Sequence, residues 1–452
     1  MATTFLSKTF SGAGTRTKYT ISVWVKRAAI GSTQCIFSAG TGANNSMTIS
    51  FNGADDRLYW NSYSNNGSNY DYFLNCTRRF RDVGAWYHIV CAFDSTQGTA
   101  SNRQKIYING VQETAFETET YSGSYSDYAF NNILHEIGQD VGAGSRFFDG
   151  SMTHFHGVDG TAYAPTSFGE VDSTSGIWKP KASPTGITYG TNGFFLKFAN
   201  SGAMGTDSSG NSNTFAVGGG TLTQTVDTPD NNFATFNGLY SNNPTLSGAN
   251  LIATASGGYR FALSTIAPTT GKYYAEFKLT TDSGYTNFGV ANVSKGSFFS
   301  QYNTNSFIGV DTAGVSYQPG SSALYYNNSA VGSYGSAANG DVIGIAMDLD
   351  NGFIYWSKNG TFLNSGVPTS AGTGTGGYAI SNIANSSGGN TYAMGVSLAN
   401  TGGGRSISAN FGNGYFGTTA VSSAGSNASG NGIFEYDTPT GYTALSTKGL
   451  NL

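Results

Sequence analysis

The sequence predicts an all-β protein built as two antiparallel β-sandwiches in tandem, residues 1–225 and 226–452. Three observations predict it. First, the stretches 86–112 and 341–360 follow one plan. Each has an alternating apolar strand ending in Asp (Asp94, Asp348), a short break and an Ile-Tyr strand (Ile106-Tyr107, Ile354-Tyr355). Each then closes on an Asn-Gly turn (Asn109-Gly110, Asn359-Gly360). Period-two alternation marks half-buried strands, and Asn-Gly supplies the positive φ of a type I′ hairpin. Second, short strand candidates recur about every 8–12 residues between Gly, Asn and Ser clusters, the spacing of sandwiches and barrels. Third, no segment long enough for a helix keeps a 3.6-residue apolar period.

In chain order, the first sandwich is expected to use strands at 18–27, 35–40, 46–53, 57–63 and 86–94. The Gly-Gly-Gly at 218–220 and the Thr-Pro-Asp-Asn-Asn run at 228–232 mark the boundary. The second sandwich is expected to use strands at 271–280, 287–292, 307–311, 341–358 and 406–412. The low-complexity text at 418–431 reads as an exposed loop or insertion.

Composition removes whole classes of function. Charged residues are 11%, against roughly 25% in ordinary soluble proteins. Gly is 64 of 452 residues and aromatics reach 14%. Low charge with many aromatics opposes disorder, which needs the reverse. Net charge is −4 with no basic stripe, so no nucleic-acid partner is expected. No apolar run approaches the ~20 residues that span a bilayer, so no membrane insertion is expected. The N-terminus lacks the charged-then-apolar layout of a signal peptide. Cys35, Cys76 and Cys91 cannot all pair internally, and Cys91, in mid-strand, reads as a buried thiol.

The clearest binding candidates are aromatic. Tyr59, Trp60, Tyr63, Tyr70 and Tyr72 gather around an Asn/Gly/Ser loop, and Tyr302, Tyr317, Tyr325 and Tyr326 sit in similar text further on. Sugars offer apolar C–H faces and many hydroxyls, which suits aromatic platforms beside Asn and Asp. Trp60, in strand phase, is the member that core packing claims most strongly. Asp207, Ser209, Asn211 and Asn213 place oxygens at alternate positions around a Gly, a pattern that could wrap Ca²⁺. Only one of them is formally charged, and Asp and Asn in such text favour side-chain-to-backbone turns, the preferred reading. His154 and His156, at i and i+2, are expected on one strand face. That face reads as outward and polar, with a transition-metal site as the alternative.

Catalysis finds little support. Glu117 and Glu119 have the spacing of a carboxylate pair but sit in edge-like text, and Glu170 and Asp172 lack a third acid. No Gly-x-Ser-x-Gly, His-Glu-x-x-His or phosphate-cradling loop occurs. No catalytic residue is assigned.

The first sandwich resembles the concanavalin A-like/laminin G-like lectin superfamily through YTISVWVKR at 19–27, AWYHIVCAFD at 85–94, KIYINGV at 105–111 and FDGSMTHFHGVDG at 148–160. It is more similar still to lectin-like virion proteins of marine bacteriophages. There the text around SFGE and GIWKPK (167–181) and TNGFFLKF with DSSGNSN (191–213) recurs. The second resembles SPRY domains through GKYYAEF (271–277), FGVAN (288–292), the 341–360 hairpin and ANFG (409–412). The end, 434–452, is similar to phage proteins with this pairing. The resemblance implies a non-catalytic protein of the virion surface, folded in the host cytoplasm and joined to other virion proteins of tail or capsid. It implies binding to a host surface glycan or glycoprotein as a tail-associated adhesin. Capsid decoration, a head fibre or a structural adaptor is the alternative. Without a coiled coil or rod, a homo-oligomer docked on a symmetric mounting is expected, a trimer by preference.

Overall fold

The computed structural model describes residues 3–64, 69–123, 125–240, 242–255, 257–281, 284–298, 306–386, 388–400 and 404–452. These divide into two compact units, Met1–Gln224 and Thr225–Leu452. Both are antiparallel β-sandwiches with only short helical turns among the described residues.

In the first unit the larger sheet runs in the order Phe116–Thr120, Asn69–Arg79, Arg57–Ser64, Asn45–Phe51, Gln34–Gly42, Leu134–Ile137, Phe5–Thr9, Ala216–Gly218. The smaller runs Phe194–Leu196, Gly150–Asp159, Lys18–Arg27, Trp86–Asp94, Gln104–Ile108, Val111–Gln112. Alternation decides what lies between them. Tyr19, Ile21, Val23, Val25, Ile89 and Phe93 meet Ile49, Phe51, Leu58, Trp60 and Leu74 in one core. Each such side chain, fully buried, contributes about 1.5–3 kcal/mol. Asp127 is buried within this apolar setting and gathers donors from four residues, the Ser62 hydroxyl at 3.2 Å among them. The Tyr19 and Tyr72 hydroxyls donate to it at 2.5 and 2.6 Å, and the Tyr128 amide at 2.7 Å.

The expected half-burial of Trp86–Asp94 is corrected, and Lys18–Arg27 pairs with it. These strands are buried on both faces. Residues from 163–195 cover the outer side of the smaller sheet: Phe168 packs on Val90 and Val158, with Tyr163, Ile187 and Tyr189 around them. Trp178 Nε1 donates to His88 Nδ1 at 3.0 Å, and His88 stacks on Trp24 at 4.6 Å. The paired-histidine expectation is corrected as well. His154 has φ +48°, and the register with Lys18–Arg27 shifts between Thr153 and His156. That bulge breaks the simple i, i+2 relation. His156 is 1% exposed, its ring stacked on Phe195 at 3.8 Å and its Nδ1 2.8 Å from the Tyr189 hydroxyl, so it is not part of an outward polar face. Cys35, Cys76 and Cys91 are free and buried, and burial pushes their thiols up.

In the second unit one sheet contains Thr245–Ser247, Ile252–Ala255, Arg405–Asn410, Lys272–Thr281, Val342–Asp348, Phe353–Lys358 and Thr361–Phe362 in that order. The other contains Gly258–Leu263, Tyr392–Asn400, Thr286–Asn292, Gly314–Gln318, Ala323–Tyr326 and Ser329–Ser333. Phe277, Phe288, Ile345, Trp356 and Val396 fill the space between. Residues 307–311, expected as a strand, form turns that bury Ile308. The 418–431 segment is pinned: Asn427 Nδ2 donates to the carbonyls of Asn431 and Gly432, and Ser426 binds Asp437. Both Asn-Gly hairpins form, with φ +50° and +84° at Asn109 and Gly110 and +48° and +79° at Asn359 and Gly360.

Candidate functional site

The outer face of the larger sheet in the first unit carries a cleft of about 440 Å³. Three neighbouring strands build its floor. Ser46 and Thr48 come from Asn45–Phe51, Tyr59, Asn61 and Tyr63 from Arg57–Ser64, and Tyr70 and Phe73 from Asn69–Arg79. The i, i+2 rule explains the set, because Tyr59, Asn61 and Tyr63 share one face while Leu58 and Trp60 take the other. Asn44, Asn52, Asp140 and Arg146 are among the residues that complete the walls.

The aromatic side is a continuous surface. Tyr70 stacks on Phe73 at 4.6 Å and 9°, and its centroid lies 4.3 Å from that of Tyr63. Tyr59 meets Phe73 edge-on at 6.1 Å. The Tyr63 hydroxyl donates to that of Tyr70 at 2.5 Å. Tyr70 is 42% exposed, which leaves a broad ring edge open to solvent. Burial pushes the Tyr59 hydroxyl up to about 12 and raises that of Tyr63 too, so both stay neutral donors across the physiological range. Among them, Thr48 donates to Asn61 Oδ1 at 2.5 Å, and in the wall Arg146 Nη1 donates to Asp140 Oδ2 at 2.9 Å. An aromatic platform beside fixed amides, hydroxyls and one ion pair can grip a flat, hydroxyl-rich ring.

Of the sequence candidates, the fold brings Tyr59, Tyr63 and Tyr70 together here. Trp60 and Tyr72 are corrected: both are 0% exposed. Trp60 pairs with Ile49 and Leu74 and so faces the core. Tyr72 alternates in phase with the buried Leu74 and so faces inward, towards Asp127, while the register shift between Ser62 and Tyr63 takes Tyr70 out of that phase and onto the outer face. The expected loop is in part a strand, Asn69–Arg79. Tyr325 and Tyr326 belong to the second unit, in the strand Ala323–Tyr326. There Tyr325 meets Phe307 edge-on at 5.7 Å, and the Tyr326 hydroxyl donates to the Asn382 carbonyl at 2.9 Å. Tyr317 is buried, and Tyr302 lies outside the described residues.

The Asp207 loop is a self-satisfied turn. Asp207 accepts the amides of Phe195, Ser209 and Asn213, each at 2.8 Å. Asn211 and Asn213 direct their amide nitrogens to the carbonyls of Gly190, Thr191 and Gly193. The side chains read as calcium ligands therefore hold the loop closed. Of the weak carboxylate candidates, Glu117 pairs with Arg57 at 2.8 Å on the edge strand, and Lys179 holds Asp172 well below the usual carboxylate range.

Asp140 and Arg146 were not found from the sequence, because a remote loop delivers them to the sheet. Asn61 was not named either, although its alternation with Tyr59 and Tyr63 is a signal that could have found it.

Residues 7–161 match the family model of the concanavalin A-like lectin/glucanases superfamily, a span that contains every residue of the cleft. The chain is similar to the SPRY domain of human HERC1, at 19% identity over 35% of this chain and 87% of that one, with a TM-score of 0.27. It is also similar to a heptameric SAP-like pentraxin from Limulus polyphemus, at 19% identity over 36% and 71%, with a TM-score of 0.26. Similarity extends to the CBM40 of the Ruminococcus gnavus IT-sialidase, at 16% identity over 33% and 89%, with a TM-score of 0.25. No curated protein matches the chain in sequence.

Proposed function

We propose that this chain is a non-catalytic glycan-binding protein and that the first unit holds the sugar in the cleft over Tyr59, Tyr63 and Tyr70. The observation that carries the reading is the open aromatic platform, set against fixed polar groups within a lectin-type sandwich. A glycosidase of the usual kind needs two carboxylates flanking the bond. Among the described residues lining the cleft, Asp140 is the single carboxylate, and it is engaged by Arg146 and the Gly142 amide. Binding is tested on a glycan array with the full chain. Tyr70→Ala and Tyr59→Ala each lower affinity for the retained glycan about tenfold, near 1.4 kcal/mol. Unchanged retention by both variants would reject the site.

The wider role follows from the resemblance of residues 5–215 and 434–452 to phage virion text. In this reading the chain is a homo-oligomer, a trimer by preference, mounted on other virion proteins and facing a host surface glycan. Several weak sites per particle then add by effective concentration. Antibodies against residues 226–452 locate it. Tail labelling with blocked adsorption supports the adhesin, whereas head labelling with unimpaired adsorption transfers the role to capsid decoration. Light scattering of the purified chain gives the copy number.

A further inference from the structure

We infer that the cleft selects sugars bearing an anionic substituent, a carboxylate or a sulfate ester, which the guanidinium of Arg146 receives. The inference rests on the cleft being the glycan site. Among the described lining residues only Asp140 and Arg146 are charged, and the two are not equally available. The Asp140 side chain is 4% exposed; its Oδ1 accepts the Gly142 amide at 2.9 Å and its Oδ2 accepts Arg146 at 2.9 Å. Its charge is therefore turned into the loop. The Arg146 side chain is 50% exposed and uses one of its five N–H donors on that bond. The group that the cleft presents to a ligand is thus a cation whose other donors have no partner among the described residues.

The loop that presents it is strained to do so. Asp140 and Ser145 form an isolated bridge, and Arg146 itself adopts φ +60°, a conformation uncommon outside Gly and costly for a long side chain. The Arg146 charge reaches the hydroxyls of Tyr59 and Tyr63, where it opposes the effect of burial. So the guanidinium stands beside the aromatic floor, where a ring lying against Tyr70 could turn an acidic substituent towards it. The planar fork of arginine matches two oxygens of one anion, and such charge-assisted pairs are about twice as strong as neutral ones.

The test measures binding of three defined probes to the full chain by calorimetry at 50 and 300 mM NaCl: trigalacturonate, a sulfated galactan oligosaccharide and neutral galactotriose. The expected result is that one acidic probe binds at least about tenfold more tightly than the neutral one at low salt, with the gap narrowing at high salt. Which acidic probe wins identifies carboxylate or sulfate as the source. Arg146→Gln should erase the difference between acidic and neutral probes. Arg146→Lys should keep its salt dependence while losing several-fold in affinity, and this also guards against simple loop collapse. Equal binding of all three probes, or a preference that survives Arg146→Gln, overturns the inference and leaves the cleft reading intact. If no probe binds and Tyr70→Ala leaves array retention unchanged, the cleft reading itself fails.

Discussion

Tyr70 and Tyr72, two residues apart, have opposite roles because a register shift separates them. Tyr70 is 42% exposed at the cleft, and Tyr72 is fully buried with its hydroxyl on Asp127. Asp127 is kept from water and burial pushes its carboxyl up, while the Tyr19 and Tyr72 hydroxyls favour its charged form. Removing one of these donors strands part of a buried carboxylate. Tyr72→Phe is therefore expected to cost about 2 kcal/mol in urea unfolding of the first unit and to leave glycan retention unchanged. Tyr70→Ala should do the reverse, with a small stability change and about a tenfold loss of affinity. Should the stability losses come out equal, the two tyrosines would not be divided between core and cleft.

At the scale of elements, the Asn-Gly hairpins were legible because local chemistry dictates them. Strict alternation followed by two positive-φ residues has few other solutions. Gly360 shows how tightly the turn is then used. A Cβ there would lie 2.8 Å from Tyr436 Cδ1, at φ +79°. Gly360→Ala should lower the stability of the second unit by about 1–2 kcal/mol, while Gly98→Ala, with no atom within 4 Å, should be nearly neutral. Equal midpoints in chemical denaturation would contradict this. What the sequence hid has a common cause: distant chain. Asn69–Arg79 begins in polar text and carries register shifts, so its alternation is blurred. Burial of Trp86–Asp94 on both faces depends on Phe168 and Trp178, supplied far downstream. Arg146 reaches the cleft only through its loop, whereas Tyr59, Asn61 and Tyr63 follow from period two. The edge strand Phe116–Thr120 was readable as solvated, and its exposed Glu117 and Glu119 discourage pairing with another sheet.

At the scale of the whole molecule, acid acts on the two units with opposite sign. All four histidines of the chain lie in the first unit. Three of them are buried: burial lowers His88 to about 3 and His135 to about 4, and it holds His156 well below its ordinary value. These rings are neutral when folded and take a proton near pH 6.5 when unfolded. Their stabilisation is complete above pH 6.5 and is lost as pH falls. At pH 5 each costs about 2 kcal/mol, roughly 6 kcal/mol together as an upper bound. Asp127, Glu136 and Asp149, raised by burial, offset part of that loss. The second unit has no histidine. Its buried Glu276, which accepts the amides of Glu435 and Tyr436 at 2.8 and 2.9 Å, is raised by burial to about 7. A carboxyl that is easier to protonate when folded gains stability as pH falls from 7 towards 4.5. Calorimetry of the full chain at pH 7.5 and 5.0 should therefore show one transition moving down, from the first unit, and a second holding or rising. Glu276→Gln should remove the rise, and replacing His88 should flatten the fall. Parallel downward shifts of both transitions would mean that neither the buried histidines nor Glu276 governs stability between these two pH values.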